Sequence, residues 1–156
     1  MELTYDKQVL QGLLAGIDKL ANTVKLTLGP KGRNVALYQK ANLQNASYSD
    51  PARADSHVLI TNDGATISKS LVLDDPLENM GVCLIQEIAS KVNAAAGDGT
   101  TTAIVLTQAI LHSAFRNLAA GADPVAMRRG IQKAARTATE TLLRRARPIR
   151  TPEEIA

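Results

Sequence analysis

The chain has 156 residues, enough for one domain with a real core, and 45% of them are hydrophobic. One Phe, three Tyr and no Trp leave that core to Leu, Ile, Val and Ala, which favours packed helices over an aromatic-rich sandwich. The single Cys83 excludes an internal disulfide, and no apolar run is long enough to span a membrane. Met1 to Asp6 lacks the basic and apolar regions of a signal peptide, so a cytoplasmic location is expected.

The first element is helical. Leu10, Leu13, Leu14, Ile17, Ala21, Val24 and Leu28 follow the three–four spacing of one apolar stripe, which runs into the helix-stopping pair Gly29-Pro30. Two short strands of a hairpin follow, Asn34 to Tyr38 and His57 to Thr61. The polar stretch Gln39 to Ser56 between them is longer than a usual hairpin loop and reads as an insertion. The second helix opens at Asp75-Pro76, a cap residue with proline at the first helical position. It carries Leu77, Met80, Gly81, Leu84, Ile85, Ile88, Ala89 and Val92, and ends at Gly97. The third starts near Thr100 and is apolar on most sides (Ile104, Val105, Leu106, Ile110, Leu111, Phe115, Leu118), which predicts the central buried helix; Gly121 ends it. The fourth repeats the Asp-Pro start at Asp123-Pro124 and shows Met127, Ile131, Ala134, Ala138 and Leu142 before Pro148. Thr151-Pro152-Glu153-Glu154 has the pattern of a further helix start, from which a longer polypeptide is expected to continue.

The net charge of +3 is uneven. Between Arg128 and Arg150 stand seven Arg and Lys133 against Glu140 alone, and the rest of the chain is net acidic. Such a block is compatible with nucleic-acid binding, but it has no aromatic to stack a base. Its arginines crowd towards a helix end, where cations complement the dipole. A solvated helix face is the preferred reading, with no nucleic-acid partner.

The most pointed chemistry lies in Gly97-Asp98-Gly99-Thr100-Thr101-Thr102, between two strong helices. Three consecutive Thr suit a helix interior badly, because β-branching restricts χ1 and the hydroxyls compete for backbone bonds. At a helix amino terminus they suit phosphate: free N–H groups and the dipole attract the anion, and the hydroxyls add donors. Asp98 would then hold Mg²⁺. The other reading is a plain helix–turn–helix joint with Gly97 left-handed and Asp98 as cap, and composition alone leaves the two open. Thr27-Leu28-Gly29-Pro30-Lys31-Gly32 is a glycine-rich turn suited to lie against a nucleotide, or simply a helix stop. Thr61-Asn62-Asp63-Gly64 reads as a tight turn after the second strand. Neither a Gly-x-x-x-x-Gly-Lys-Ser/Thr loop nor a Gly-x-Gly-x-x-Gly fingerprint is present. His57 and His112 read as strand and helix-surface residues without a partner cluster, and Cys83 as a small packing residue.

Taken in order, Thr27-Leu-Gly-Pro-Lys-Gly-Arg-Asn34, Thr61-Asn-Asp-Gly64, Leu77-Glu-Asn-Met-Gly81 and Ala96-Gly-Asp-Gly-Thr-Thr-Thr-Ala103 resemble the group I, GroEL-type chaperonins from about Tyr5 to the end. The resemblance implies a multihelical, all-α fold with one β-hairpin, the amino-terminal portion (residues 1–156) of the equatorial ATP-binding domain. The rest of that domain and the hinge and apical domains would be absent. It implies ATP and Mg²⁺ as cofactors. Thr27, Leu28, Gly29 and Pro30 would line the nucleotide, Asp98 would bind the metal, and Gly99, Thr100, Thr101 and Thr102 would hold phosphates. Asn62, Asp63 and Gly64 would lie near the terminal phosphate, with Asp63 positioning the attacking water.

The implied partners are unfolded client proteins, identical subunits in a ring (a double heptamer when full-length) and a GroES-type co-chaperonin. The full-length protein would be an ATPase and the 156 residues alone inactive. Asn62 stands where group I members usually have Lys, so that Asn-Asp-Gly resembles group II chaperonins. Ala94 stands where the family often has Asp, and the stretch Gln39 to Ser56 exceeds the family's hairpin connection. The competing readings are a chaperonin-like protein without ATPase activity and a small helical interaction module.

Overall fold

The computed structural model describes residues 7–39, 57–149 and 151. In chain order the elements are α1 (Lys7–Lys25), β1 (Val35–Gln39), β2 (His57–Thr61), α2 (Gly64–Ser70), α3 (Pro76–Ala96), α4 (Thr100–Ala119) and α5 (Pro124–Arg145). The fold is multihelical with one antiparallel hairpin, paired in the register Val35↔Thr61, Leu37↔Leu59, Gln39↔His57. Among the described residues no helix is long and apolar enough to cross a membrane. The chain divides into two compact units, residues 1–112 and 113–156, with the division inside α4.

The core of the first unit is aliphatic, as the composition requires. Ile17, Leu20, Ala21 and Val24 of α1 meet Ile67 of α2, Val82, Ile85 and Ala89 of α3, and Ile104 of α4. Val35 and Leu37 press one face of the hairpin onto this cluster, while Tyr38, Val58 and Ile60 on the other face are exposed. The α1–α3 contact is close enough to exclude side chains. A methyl group added at Gly16 would run into the Glu78 carbonyl, and one at Gly81 into the Leu13 carbonyl. The Lys19 ammonium pairs with the Glu78 carboxylate beside this crossing. Gln86 ties α3 to the end of α2 by donating to the carbonyls of Ser68 (2.7 Å) and Leu71 (3.0 Å).

The second unit holds the end of α4 and all of α5. Gly121 closes α4 with a φ of 92°, and Asp123 caps α5 by accepting from Val125 (3.1 Å) and Ala126 (3.0 Å). No residue of α5 is buried, so the stripe of Ile131, Ala134, Ala138 and Leu142 has no partner among the described residues.

Several expectations need correction. Helix α1 stops at Lys25 rather than at Gly29-Pro30. The Thr27 hydroxyl takes the Val24 carbonyl at 2.8 Å and Leu26 turns back to Thr23, so the chain leaves the helix a turn early. Strand β1 sits one residue later than expected. Asp63-Gly64 begins the short helix α2 instead of making only a tight turn. The expected central helix α4 buries only Thr100, Ile104 and Gln108, and Leu106 and Ile110 are exposed. Its buried side is partly polar: Gln108 donates to Asp18 (2.6 Å) and Asn22 (3.2 Å) of α1.

His112 does have a partner, its Nε2 lying 2.7 Å from the Asp18 carboxylate. Partial burial pushes the Asp18 carboxyl up, but the bonds from Gln108 and His112, with the His112 charge, together hold it below the ordinary range. Cys83 is exposed rather than packed. The stretch Gln39 to Ser56, apart from Gln39 itself, and the helix start at Pro152 to Glu154 lie outside the described residues.

The glycine crossing generates a test. Gly81→Ala is expected to cost about 1–3 kcal/mol by overpacking, outweighing the roughly 1 kcal/mol that Ala gains over Gly in a helix. Gly130→Ala in α5, where an added methyl meets nothing, is expected to be neutral or stabilising. Urea unfolding midpoints of the two variants separate the outcomes.

Candidate functional site

Three segments distant in sequence converge on one cleft of about 280 Å³ in the first unit. The turn after α1 brings Thr27, Leu28 and Gly29, and the end of β2 with the start of α2 brings Asn62, Asp63 and Gly64. The end of α3 brings Asn93 and Gly97, and the turn into α4 brings Asp98, Gly99, Thr100, Thr101 and Thr102. Eleven of the twelve expected site residues therefore line a single cavity, Pro30 being the exception. Asn93 and Gly97 are additions. The signal for Asn93 was its spacing: its carbonyl accepts the Gly97 N–H at 2.9 Å, which places it one turn back on the same side.

The α3–α4 turn is set by two left-handed glycines, Gly97 at φ 72° and Gly99 at φ 79°, a conformation that costs other residues about 1–2 kcal/mol. Asp98 stands exposed between them, and its Oδ1 accepts the neighbouring Gly99 N–H at 2.6 Å. It does not accept the N–H two or three residues on, so it is no ordinary cap. Helices α2, α3 and α5 each begin on an aspartate that satisfies two early N–H groups. Before α4 stands Gly99, whose carbonyl starts the helix by accepting from Ala103 at 2.9 Å but which has no side chain to offer. The first N–H groups of α4 are thus left without a side-chain cap where the helix dipole is positive. That arrangement is suited to an oxyanion.

Asp63 is placed differently. It caps α2, with Oδ1 accepting from Ala65 N–H (3.3 Å) and Oδ2 from Thr66 N–H (2.9 Å) and the Thr66 hydroxyl (2.6 Å). The Thr66 hydroxyl is the largest cause holding this carboxyl below the usual range. Burial opposes it, and the backbone donors of Thr66 and Ala65 and the Lys69 charge add to the lowering. Gly64 is buried, and a methyl there would strike the Thr101 hydroxyl, so this glycine lets α2 and α4 meet at the cleft wall. No Lys or Arg lines the cleft, and no group of three or more His, Cys, Asp or Glu able to hold a metal occurs among the described residues. A metal here would need ligand oxygens from a bound anion beside Asp98, the way Mg²⁺ is commonly held with nucleotides.

The family model of the TCP-1/cpn60 chaperonins matches residues 20–155, which include every residue of the cleft. The chain belongs to this family. A chaperonin-type role in protein folding follows from membership. The chaperonin match also extends through α5, so it takes in most of both compact units.

Because Gly64 touches Thr101, Gly64→Ala in this chaperonin chain is expected to cost about 1–3 kcal/mol of stability. Thr101→Ala in the same chain is expected to recover part of that loss, a coupling that a double-mutant cycle measured by urea unfolding reads directly. Strict additivity of the two changes would show that the helices do not meet there.

Proposed function

We propose that the chain is the amino-terminal portion of the equatorial domain of a chaperonin and that its cleft binds Mg²⁺-ATP. The observation that carries this reading is the joining of Asp98, exposed at the turn, to uncapped N–H groups and three Thr hydroxyls of α4 in one cavity. In this reading the N–H and hydroxyl donors of Gly99 to Thr102 take the phosphates, and Asp98 holds Mg²⁺ together with phosphate and water oxygens. Thr27, Leu28 and Gly29 lie against the nucleoside, with Pro30 fixing the turn just outside. Asp63 orients a water towards the terminal phosphorus, and a metal held at Asp98 would supply positive charge to the phosphates. Asn62 and Gly64 complete that wall.

The chain presents donors on the walls formed by the α1 turn, α2 and α4 only. Turnover would require further walls from a longer polypeptide, and the 156 residues alone are expected to bind nucleotide without hydrolysing it. The whole protein would work as a ring of identical subunits, with unfolded proteins as clients and a GroES-type co-chaperonin, in the cytoplasm. A second reading, a chaperonin that binds ATP but does not turn it over, draws on the absence, among the described residues, of any cationic side chain from the cleft, where Asn62 stands.

Calorimetric titration with ATP in the presence and absence of Mg²⁺ tests the reading. Binding is expected to need the metal, and Asp98→Ala is expected to remove most of that dependence while leaving the fold intact. An Asp98→Ala chain that binds Mg²⁺-ATP as before would overturn the assignment. Asn62→Lys is expected to tighten binding, since a charge-assisted hydrogen bond is worth about 1.5–3 kcal/mol. Unchanged affinity would place this position away from the phosphates. ATPase assays of the full-length polypeptide separate the two readings, because only the first expects turnover.

A further inference from the structure

The Asp63 carboxylate is held by more than a helix cap requires. A cap is complete when the side chain accepts the N–H two or three residues on, and the aspartates before α3 and α5 stop there. The residue three places after each of those caps is Glu78 or Ala126, neither of which carries a hydroxyl. After Asp63 it is Thr66, whose hydroxyl adds a third donor at 2.6 Å. Of the three capping aspartates only Asp63 lines the cleft, and Thr66 itself does not line it. The extra bond is therefore found at the one cap that faces the cavity.

We propose that Thr66 is a positioning residue: its hydroxyl fixes the rotation of the Asp63 carboxylate and saturates Oδ2, leaving Oδ1 to serve the cleft. Oδ2 already accepts two short bonds from Thr66, at 2.9 and 2.6 Å, whereas Oδ1 has only the Ala65 N–H at 3.3 Å. A carboxylate oxygen has two lone pairs, so Oδ1, which accepts one long bond, keeps the other for a water. This rests on the reading of Asp63 as the group that orients the attacking water. In that hydrolysis the water oxygen bonds to the terminal phosphorus, and the bond to the bridging oxygen breaks with its electron pair leaving on ADP. The water proton is held at Oδ1 before passing to the released phosphate. A carboxylate free to rotate would present either oxygen in many orientations, and a 1 Å misplacement costs up to about a hundredfold in rate.

The hydroxyl also sets the acid range in which the group works. By stabilising the charged form it keeps Asp63 ionised below the usual carboxylate range. The ionisable groups near it are Lys69 on α2, which favours the charge, and Asp98, which lines the same cleft. The β2 end and the α1 turn present only Asn62, Thr27, Leu28 and Gly29. Losing the hydroxyl raises the pH at which the carboxylate becomes protonated, so the acid limb of turnover moves upward.

Two measurements test this. Carbon-13 NMR follows the Asp63 carboxyl carbon through an acid titration of the chain and of Thr66→Val and Thr66→Ser. ATPase pH profiles are recorded for the same changes, and for Asp63→Asn, in the full-length polypeptide. Thr66→Val, which keeps the shape and loses the hydroxyl, is expected to raise the titration midpoint, since the bond that most favours the charged form is gone. The acid limb of kcat should move with it, with KM little changed, while Thr66→Ser restores both.

A midpoint that stays put in folded Thr66→Val, or one that moves equally in Thr66→Ser, overturns the proposal. Thr66→Ala gives the same comparison if the valine variant does not fold. Should the midpoint move while Asp63→Asn leaves turnover intact, the catalytic positioning falls with the role assigned to Asp63. Loss of turnover in Asp63→Asn with an unmoved limb in Thr66→Val overturns only the part assigned to Thr66.

Discussion

The crossing of α1 on α3 at Gly16 and Gly81 is the contact on which the first unit depends. With no Cβ on either residue, each backbone sits against a carbonyl of the other helix. Ile17, Leu20 and Val24 can then reach Val82, Ile85 and Ala89 without an intervening layer. A chain with one Phe and no Trp has no large side chains to span a wide gap. Close backbone approach is how an aliphatic core of this kind reaches native density. The charge pair of Lys19 and Glu78 lies beside the crossing, exposed on the lysine side, and adds little beyond fixing the register.

From that crossing the cleft follows. The contacts advance together along the two helices, Gly12 against Leu77 and Ile17 against Gly81, so α1 and α3 run in the same sense. Both therefore deliver their carboxyl ends to one side of the unit, where Thr27 to Gly29 and Asn93 with Gly97 line the cavity. The two left-handed glycines then reverse the chain within three residues, so that α4 starts beside the point where α3 ends. The core also sets the third wall. Ile67 anchors α2 in it, and Gly64 allows the helix to approach Thr101. The cavity is thus formed by ends of packed elements rather than by a separate loop.

What was legible in the sequence was legible for local reasons. Asp75-Pro76 and Asp123-Pro124 cap helices as their chemistry dictates, and Gly97 and Gly121 end them in the left-handed conformation. Eleven of the residues lining the cleft were identifiable as candidates because their segments carry an ordered family resemblance, and the structure gathers those segments into one cavity. What escaped depended on tertiary context. Helix α2 is seven residues of Gly, Ala, Thr, Ile, Ser and Lys, too short for a periodic pattern, and Asp-Gly is a stronger turn signal than a cap signal. Hydrophobic residues all round α4 identified it as a helix needing neighbours on several sides. Composition could not say that α1 would offer it Asp18 and Asn22, pairing with Gln108 and His112, on the one side described. Asn93 escaped because its carbonyl bond to Gly97, not its residue type, puts it at the cleft.

The charges round the cavity also constrain any anion that enters it. Asp63 and Asp98 are both acidic, and the carboxyl ends of α1 and α3 present the negative ends of their dipoles to the same space. Against these stand the amino end of α4, equivalent to roughly half an elementary charge, and that of the short α2, which Asp63 already caps, with no Lys or Arg among the described lining residues. A bare triphosphate would therefore meet net repulsion, whereas one carrying a divalent cation would present positive charge to Asp98 and phosphate oxygens to the α4 N–H groups. Selectivity for the metal complex over the free nucleotide then needs no separate recognition element. The same balance explains why the carboxylate at position 63 benefits from an internal donor. With no Lys or Arg among the described lining residues, the Thr66 hydroxyl stabilises its charge without adding a positive group that would pair with Asp98.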